Sequence, residues 1–423
     1  PLPGVELRTT ALTLGDRYVR SVELNGHAGE FASASTMQHA ALSARVLRPD
    51  GRRGVSASLS ASRRSASMRF GVLDRERVDL ALGGRVDGDV VVGVATRVRS
   101  GFELLRYDAE TTGRVPTTPS LAPGAPTAAL PASGESAWHT GGYIEAEHAP
   151  LPALAIAAGV RVDALPGDDG VTADPRLAVA YSSGDWTVRA GGGVFHQGSW
   201  RPRYRLPDAS RPAGTPRRAE HLVAGVERAG TLSLRAEAYV KRYGDYAEDG
   251  TGPHTVRGTN TGVDAIARWS PRSGPSGWAS WSALRGRAEL ASGDVVPSTF
   301  DVTHSATVVA RMPLGRDWEF GTTARYATGK PYSAVAGYDA GGTPVYAALH
   351  GARLPDYRRL DARLTRYFLG TGGTGLVYLE MLNLLDRRNV MNYTYRQGST
   401  APVPVNSVFA HRTFVLGVEL QFN

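Results

Sequence analysis

Apolar and polar positions alternate with period two through most of this chain. From Phe414 one face takes Phe414, Leu416, Val418, Leu420 and Phe422, and the other Val415, Gly417, Glu419 and Gln421. Upstream, Leu232, Leu234, Ala236, Ala238 and Val240 alternate with Ser233, Arg235, Glu237, Tyr239 and Lys241. Leu360, Ala362 and Leu364 alternate with Arg359, Asp361, Arg363 and Thr365. Successive side chains of a strand point to opposite sides, so each segment predicts a strand with one apolar and one charged face.

About sixteen such strands are visible, near 54–62, 76–86, 89–99, 137–148, 153–163, 175–183, 186–196, 220–229, 231–243, 259–269, 277–288, 300–312, 317–327, 357–368, 374–384 and 411–422. Their connections alternate in length. Short ones fall at Asp87-Gly88, His148 to Pro152, Ser183 to Asp185, Ala229-Gly230, Pro313 to Arg316 and Leu369 to Gly373. Long ones fall between them, at about 100–136, 164–174, 197–219, 244–258, 289–299, 328–356 and 385–410. Strict alternation puts every long loop at one end of an up-and-down antiparallel sheet, as in an outer-membrane barrel with short periplasmic turns and long extracellular loops. A Greek-key sandwich would place long connections at both ends. The expected fold is therefore all-β, a transmembrane antiparallel up-and-down barrel.

Composition agrees. The 423 residues include 50 Gly, and Tyr and Trp (17 and 7) outnumber Phe (10), with a mean hydropathy of −0.24. No apolar run approaches the ~20 residues of a membrane helix, whereas a barrel strand needs only ~9–11 residues of alternating character. With no cysteine, zinc-ribbon, thiol-redox and cysteine-nucleophile chemistry are excluded. The net charge of +8 comes from arginines dispersed at strand spacing rather than in blocks. That distribution suits a polar barrel interior or acidic lipid headgroups and argues against nucleic acid.

Catalytic and cofactor chemistry find no support in the residue pattern. His139, His148, His196, His221, His254, His304 and His350 show no ligand spacing, so no metal or cofactor is expected. Asp301, His304 and Ser305 lie close in sequence without a nucleophile elbow, so the chain is not expected to be an enzyme. In a barrel the charged face must look inward, which makes Arg235, Glu237, Tyr239, Lys241, Arg359, Asp361 and Arg363 lumen-lining. Trp138, Trp186, Trp269, Trp278, Trp281 and Trp318 sit near strand ends, where membrane interfaces favour them. Two long loops combine aromatic faces with basic groups suited to an anionic or sugar-like solute. One offers Trp200, Arg201, Arg203 and Tyr204, the other Tyr332, Tyr338, Tyr346 and His350.

Five segments in order resemble the TonB-dependent outer-membrane receptors: residues 159–197, RAEHLVAGVE (218–227), WEFGTTARYATGKPYS (318–333), LPDYRRLDARLTRYF (354–368) and VYLEMLNLLDRRNVMNYTY (377–395). The terminal GVELQF resembles the signal read by barrel-assembly machinery, with Gly417, Leu420 and Phe422 at its marked positions. Residues 1–50 resemble the C-terminal tail of the family's plug domain, leaving 51–423 as barrel. The resemblance implies a Gram-negative outer-membrane location, a family barrel of twenty-two strands, and uptake of a scarce siderophore-, sugar- or peptide-like solute. It also implies coupling to the TonB complex and contact with membrane lipids and lipopolysaccharide. The alternative is a passive channel or a structural barrel within a surface assembly.

Overall fold

The structure is a computed structural model. It describes residues 4–24, 27–47, 52–117, 121–130, 133–165, 170–198, 217–246, 255–340, 342, 344–370, 373–396, 398–407 and 409–422. Its main sheet has 20 strands. Two of these, Thr127–Ala129 and Val295–Pro297, are three residues long, which leaves eighteen long strands where about sixteen were expected. The chain divides into two compact units, Pro1–Leu177 with Val194–Arg217, and Ala178–Gly193 with Arg218–Asn423.

The first unit begins with β1 (Val5–Leu24), β2 (His27–Leu47), β3 (Arg53–Phe70), β4 (Leu73–Val92), β5 (Thr96–Pro116), β6 (Ser133–Leu151) and β7 (Leu154–Ala164). Each pairs antiparallel with the next in chain order. β8 (Thr172–Ser183) and β9 (Trp186–Gln197) contribute residues to both units.

Three expectations fail here. Residues 1–50, read as resembling a plug tail, contain β1 and β2, paired without a break from Val5↔Val46 to Leu24↔His27. β2 then pairs with β3 from Phe31↔Phe70 to Leu47↔Gly54, so no boundary at 50/51 appears in the pairing. Many of their outward positions are Ala, Thr or Gln, and so small or polar a face hides period two from a hydropathy reading. Second, Asp87-Gly88 is not a turn: β4 runs through it, and the reversal comes at Gly93, whose φ of +65° favours glycine. Third, the long loop placed at 100–136 contains most of β5, and beyond it Leu121 is buried with its carbonyl accepting from Val72 N at 3.1 Å.

The register assigns the two faces. One row joins Thr9, Leu42, Leu59, Gly84 and Leu104, and the next joins Leu7, Ala44, Ala57, Val86 and Phe102. Leu7 is 71% exposed, Leu59 65% and Phe102 56%. A face that shows such side chains in continuous rows is built for an apolar surrounding. The outward positions of β3, β4 and β5 are apolar chiefly in the halves nearest residues 48–52 and 93–95; in their other halves they include Arg63, Arg69, Asp74, Glu76, Asp108 and Glu110. At 18–21 residues they exceed what one membrane crossing needs, ~9–11 residues, so their charged halves extend into water.

In the second unit follow β10 (Arg217–Arg228), β11 (Leu232–Tyr246), β12 (Thr255–Trp269), β13 (Ser276–Leu290), β14 (His304–Leu314), β15 (Trp318–Ala327), β16 (Tyr357–Gly370), β17 (Gly373–Leu382) and β18 (Thr413–Phe422). From β10 on, all pair antiparallel in chain order. Along β15 the outward residues run from Trp318 to Tyr326, about 26 Å along the strand at ~3.3 Å per residue and about 20 Å in height at the ~35–45° tilt of barrel strands, most of a barrel's ~25 Å apolar band. Trp318 lies beneath the Arg366 guanidinium (5.5 Å), and Trp186 beneath that of Arg228 (5.9 Å). Both tryptophans open strands after tight turns, at the same rim of this unit. Trp278 does not belong to this belt, because it pairs with Arg268 on the charged face.

Candidate functional site

The densest polar constellation lies on the charged face of the first unit. Arg85 on β4 grips Asp87 with two bonds of 2.7 Å, and the Tyr143 hydroxyl on β6 donates to the same carboxylate at 2.8 Å. Arg85 also lies 5.7 Å from the Tyr143 ring centre and 3.6 Å from Glu103. On β7, Arg161 holds both oxygens of Asp163 at 2.7 Å and also donates to Glu103 on β5. His139 Nε2 is 2.7 Å from Asp163 Oδ1. Spacing of i, i+2 puts Arg85 with Asp87, and Arg161 with Asp163, on one face of one strand, and the register brings the two pairs together through Glu103 and Tyr143.

Two glycines make this packing fit. Gly101 stands directly opposite Tyr143, and a β-carbon there would overlap the Tyr143 ring and the Asp87 carboxylate. Gly141 stands opposite Asp163, and a β-carbon there would overlap both Asp163 and Arg161. Beside the network is a recess of ≈ 420 Å³ whose lining includes Arg45, Asp87, Asp89, Arg97, Arg99 and Tyr143. Its mixed charges can pair with a polar solute bearing groups of either sign.

One feature of this wall resembles a metal centre. Glu103, His139 and Asp163 bring ligand atoms within 4.8 Å of one another, which their scattered sequence positions concealed. The Arg161 guanidinium, however, binds both carboxylates and occupies the place a cation would take. The two carboxylates of the trio are therefore part of an ion-pair cluster with Arg161. Charged hydrogen bonds to both carboxylates favour the ion pair over a resident metal.

In the second unit, the residues expected to line the lumen share the face opposite the apolar rows. Arg235 and Glu237 are joined at 2.6 Å, and Lys241 Nζ lies 5.0 Å from the Tyr239 ring centre. Arg359 Nε donates to Asp361 at 2.7 Å, and the Arg363 guanidinium lies 3.6 Å over the Tyr378 ring. Tyr239 faces Gly262 across the register, and Tyr378 faces Gly417. Gly417 thus sits under an aromatic ring on the charged face, whereas Leu420 points outward at 62% exposure. The side chain of Phe422 lies outside the described residues.

The two candidate solute loops fare differently. Trp200, Arg201, Arg203 and Tyr204 lie outside the described residues. Of the other four, Tyr346 is 57% exposed, while His350 is buried with Nδ1 donating to the Pro297 carbonyl at 2.8 Å. The Tyr338 hydroxyl donates to the carbonyls of Arg396 (2.9 Å) and Ser399 (3.1 Å). Tyr332 packs against Tyr393 with ring centres 5.1 Å apart, and burial pushes its hydroxyl pKa up, with Tyr395 and Tyr393 adding to the shift. Tyr332 and Tyr338 thus join segment 328–356 to segment 383–412; the four do not converge on one ligand position.

Several residues that hold these loops were not given that role from sequence. Asp301 accepts from Gly286 N at 3.0 Å and binds Arg353, whose Nη1 also donates to the Asp301 carbonyl at 2.7 Å. Asn389, 1% exposed, pairs with the backbone N and O of Arg358, each at 2.9 Å. Asn383, fully buried at φ +54°, donates to the carbonyls of Arg387 and Phe409. Asn tolerates that backbone region, so Asn383 inside NLLD was the one available cue.

No family model and no curated protein matches this sequence. Structural comparison does find relatives. The ferric-catecholate import receptor Fiu from E. coli K12 superposes with a TM-score of 0.73 at 12% identity, over 98% of this chain and 72% of that one. The ferric yersiniabactin uptake receptor FyuA from Yersinia pestis gives 0.74 at 15% identity, over 98% and 68%. The chain has the fold of the TonB-dependent outer-membrane receptors. The ferric citrate transporter FecA shares it as well, with a TM-score of 0.67 at 13% identity over 99% of this chain and 71% of that one. The exposed apolar rows and the ion-paired rows lie on opposite faces of these strands.

Proposed function

We propose that this protein is an outer-membrane receptor that imports a scarce solute, such as a metal chelate, with energy supplied through TonB. The observation that carries this reading is the match of nearly the whole chain to proteins named as import or uptake receptors for ferric chelates. The ion-paired wall around Arg85, Glu103 and Arg161 supports it. Fixed groups of both signs suit transient contact with a multiply charged, hydroxyl-rich ligand better than bulk ion flow. On this reading Trp200, Arg201, Arg203, Tyr204 and Tyr346 are candidates for first contact with the solute, whereas Tyr332, Tyr338 and His350 support the loops. Gly417, Leu420 and Phe422 would serve recognition by barrel-assembly machinery.

Equilibrium binding to the purified full-length protein tests the receptor reading. A panel of ferric catecholates, hydroxamates and citrates, with their metal-free forms, should yield one class bound at micromolar affinity or better. Uniformly millimolar binding across the panel would favour the passive channel.

A further inference from the structure

In the first unit the two faces exchange polarity along the strands. Nearest residues 48–52 and 93–95 the outward face is apolar, and the opposite face carries Arg85, Asp87 and Glu103. Six residues from Arg85 along β4, the row on that opposite face joins Leu14, Met37, Arg64, Asp79 and Ala109. The row before it joins Leu12, His39, Ser62, Ala81 and Tyr107. The outward row at the same level joins Thr13, Gln38, Arg63, Leu80 and Asp108. Large apolar side chains therefore appear on the ion-paired face where the outward face becomes polar.

These side chains are uncovered. Leu14 is 54% exposed, Leu12 45% and Met37 41%. Leu14 and Met37 stand directly opposite each other, and Leu12 lies about 7 Å from Leu14 along β1. Two rows beyond Leu14, Tyr18 begins an aromatic ladder, with its ring centre 6.3 Å from that of Phe31, which lies 6.5 Å from that of the buried Phe70. Lipid does not account for the exposure, because the apolar rows that suit a bilayer are on the other face and end below this level. A contiguous exposed apolar patch bordered by charge marks a contact surface.

We infer that Leu12, Leu14 and Met37 receive the acyl chain of an amphiphilic chelate. The inference rests on the receptor reading and narrows its solute class. Continuity selects this occupant: the patch shares its face with the wall around Arg85 and Glu103, so a solute moving along that face meets apolar and then ion-paired ground. Leu and Met side chains form an adaptable surface, which suits a flexible chain better than a rigid ring. Arg64, opposite Met37 on a strand about 5 Å away, and Asp79 beyond it offer polar contacts where the chain joins its head group.

The test is calorimetric binding of ferric hydroxamates that share one head group and carry acyl substituents from acetyl to octanoyl. Purified full-length protein in amphipol is titrated, with protein-free amphipol as the blank. The triple variant L12Q/L14Q/M37Q is compared with wild type and with T13Q, which alters the opposite face of β1. Wild type and T13Q should gain about tenfold or more in affinity from acetyl to octanoyl, since each fully buried methylene contributes about fourfold. The triple variant should bind the acetyl member as wild type does and lose most of that gain. Tight binding of every member with no gain along the series would overturn the proposal, leave the receptor reading intact and assign the patch to a protein partner. An equal gain in the triple variant would overturn it by placing the chain elsewhere. Millimolar binding of every member would also overturn it, while the chelate panel above tests the receptor reading on its own. Heat-modifiable migration establishes that all variants are folded.

Discussion

Tyr378 covers Gly417: the two stand opposite each other on the last two strands, and the ring fills the space where a β-carbon of residue 417 would project. Arg363 stacks on the same ring at 3.6 Å. The same relation joins Tyr143 with Gly101 and Tyr239 with Gly262, each a direct cross-strand pair on the charged face. Gly417→Ala should therefore destabilise by about 1–3 kcal/mol, the usual cost of overpacking. Adding Tyr378→Ala should restore part of it, which a double-mutant cycle on the unfolding midpoint will read. Independent, additive effects would show that the ring does not need the glycine.

The Arg161 cluster predicts a larger effect. Its side chain is 21% exposed, that of Glu103 17% and that of Asp163 6%. Removing one partner of a buried pair costs about 3–5 kcal/mol, so Arg161→Met should fall toward the lower end because lumen water reaches part of the site. Neutralising both carboxylates as well, in R161M/E103Q/D163N, should recover most of the loss. A triple variant as unstable as R161M would mean that the guanidinium acts through packing rather than charge.

Asp301 and Arg353, 52 residues apart, predict a local effect instead. Asp301→Ala leaves Gly286 N without its acceptor and Arg353 without its carboxylate, costing about 1–3 kcal/mol of loop stability. Limited proteolysis should cut segments 291–303 and 328–356 faster, with the strands still protected. Unchanged cleavage would show that Tyr338 and His350 suffice to hold these loops.

These cases show what was legible. Period two revealed strands and faces wherever the outward residues are Leu, Val or Phe, as around Leu232, Leu360 and Leu416. It failed for β1 and β2, whose faces carry Ala, Thr and Ser, and at Asp87-Gly88, where turn-forming residues are held extended by Arg85 and Tyr143. The inner network was illegible because Glu103, His139, Arg161 and Asp163 meet only through register. Tyr332, Tyr338 and His350 looked like ligand contacts because an aromatic loop has the same composition whether it faces a solute or another loop.

The face assignment is directly measurable, since the chain has no native cysteine. Cysteine at position 234 should react with lipid-soluble reagents only, and cysteine at 235 with aqueous ones. The reverse pattern would invert the lipid and lumen faces.

The most direct test of energised import is uptake of the radiolabelled ferric chelate that binds best, in cells expressing the full-length gene with TonB present or inactivated. The account predicts saturable uptake that disappears when either the gene or TonB is removed. Uptake that rises linearly with concentration and is unchanged without TonB would contradict it and identify a passive channel.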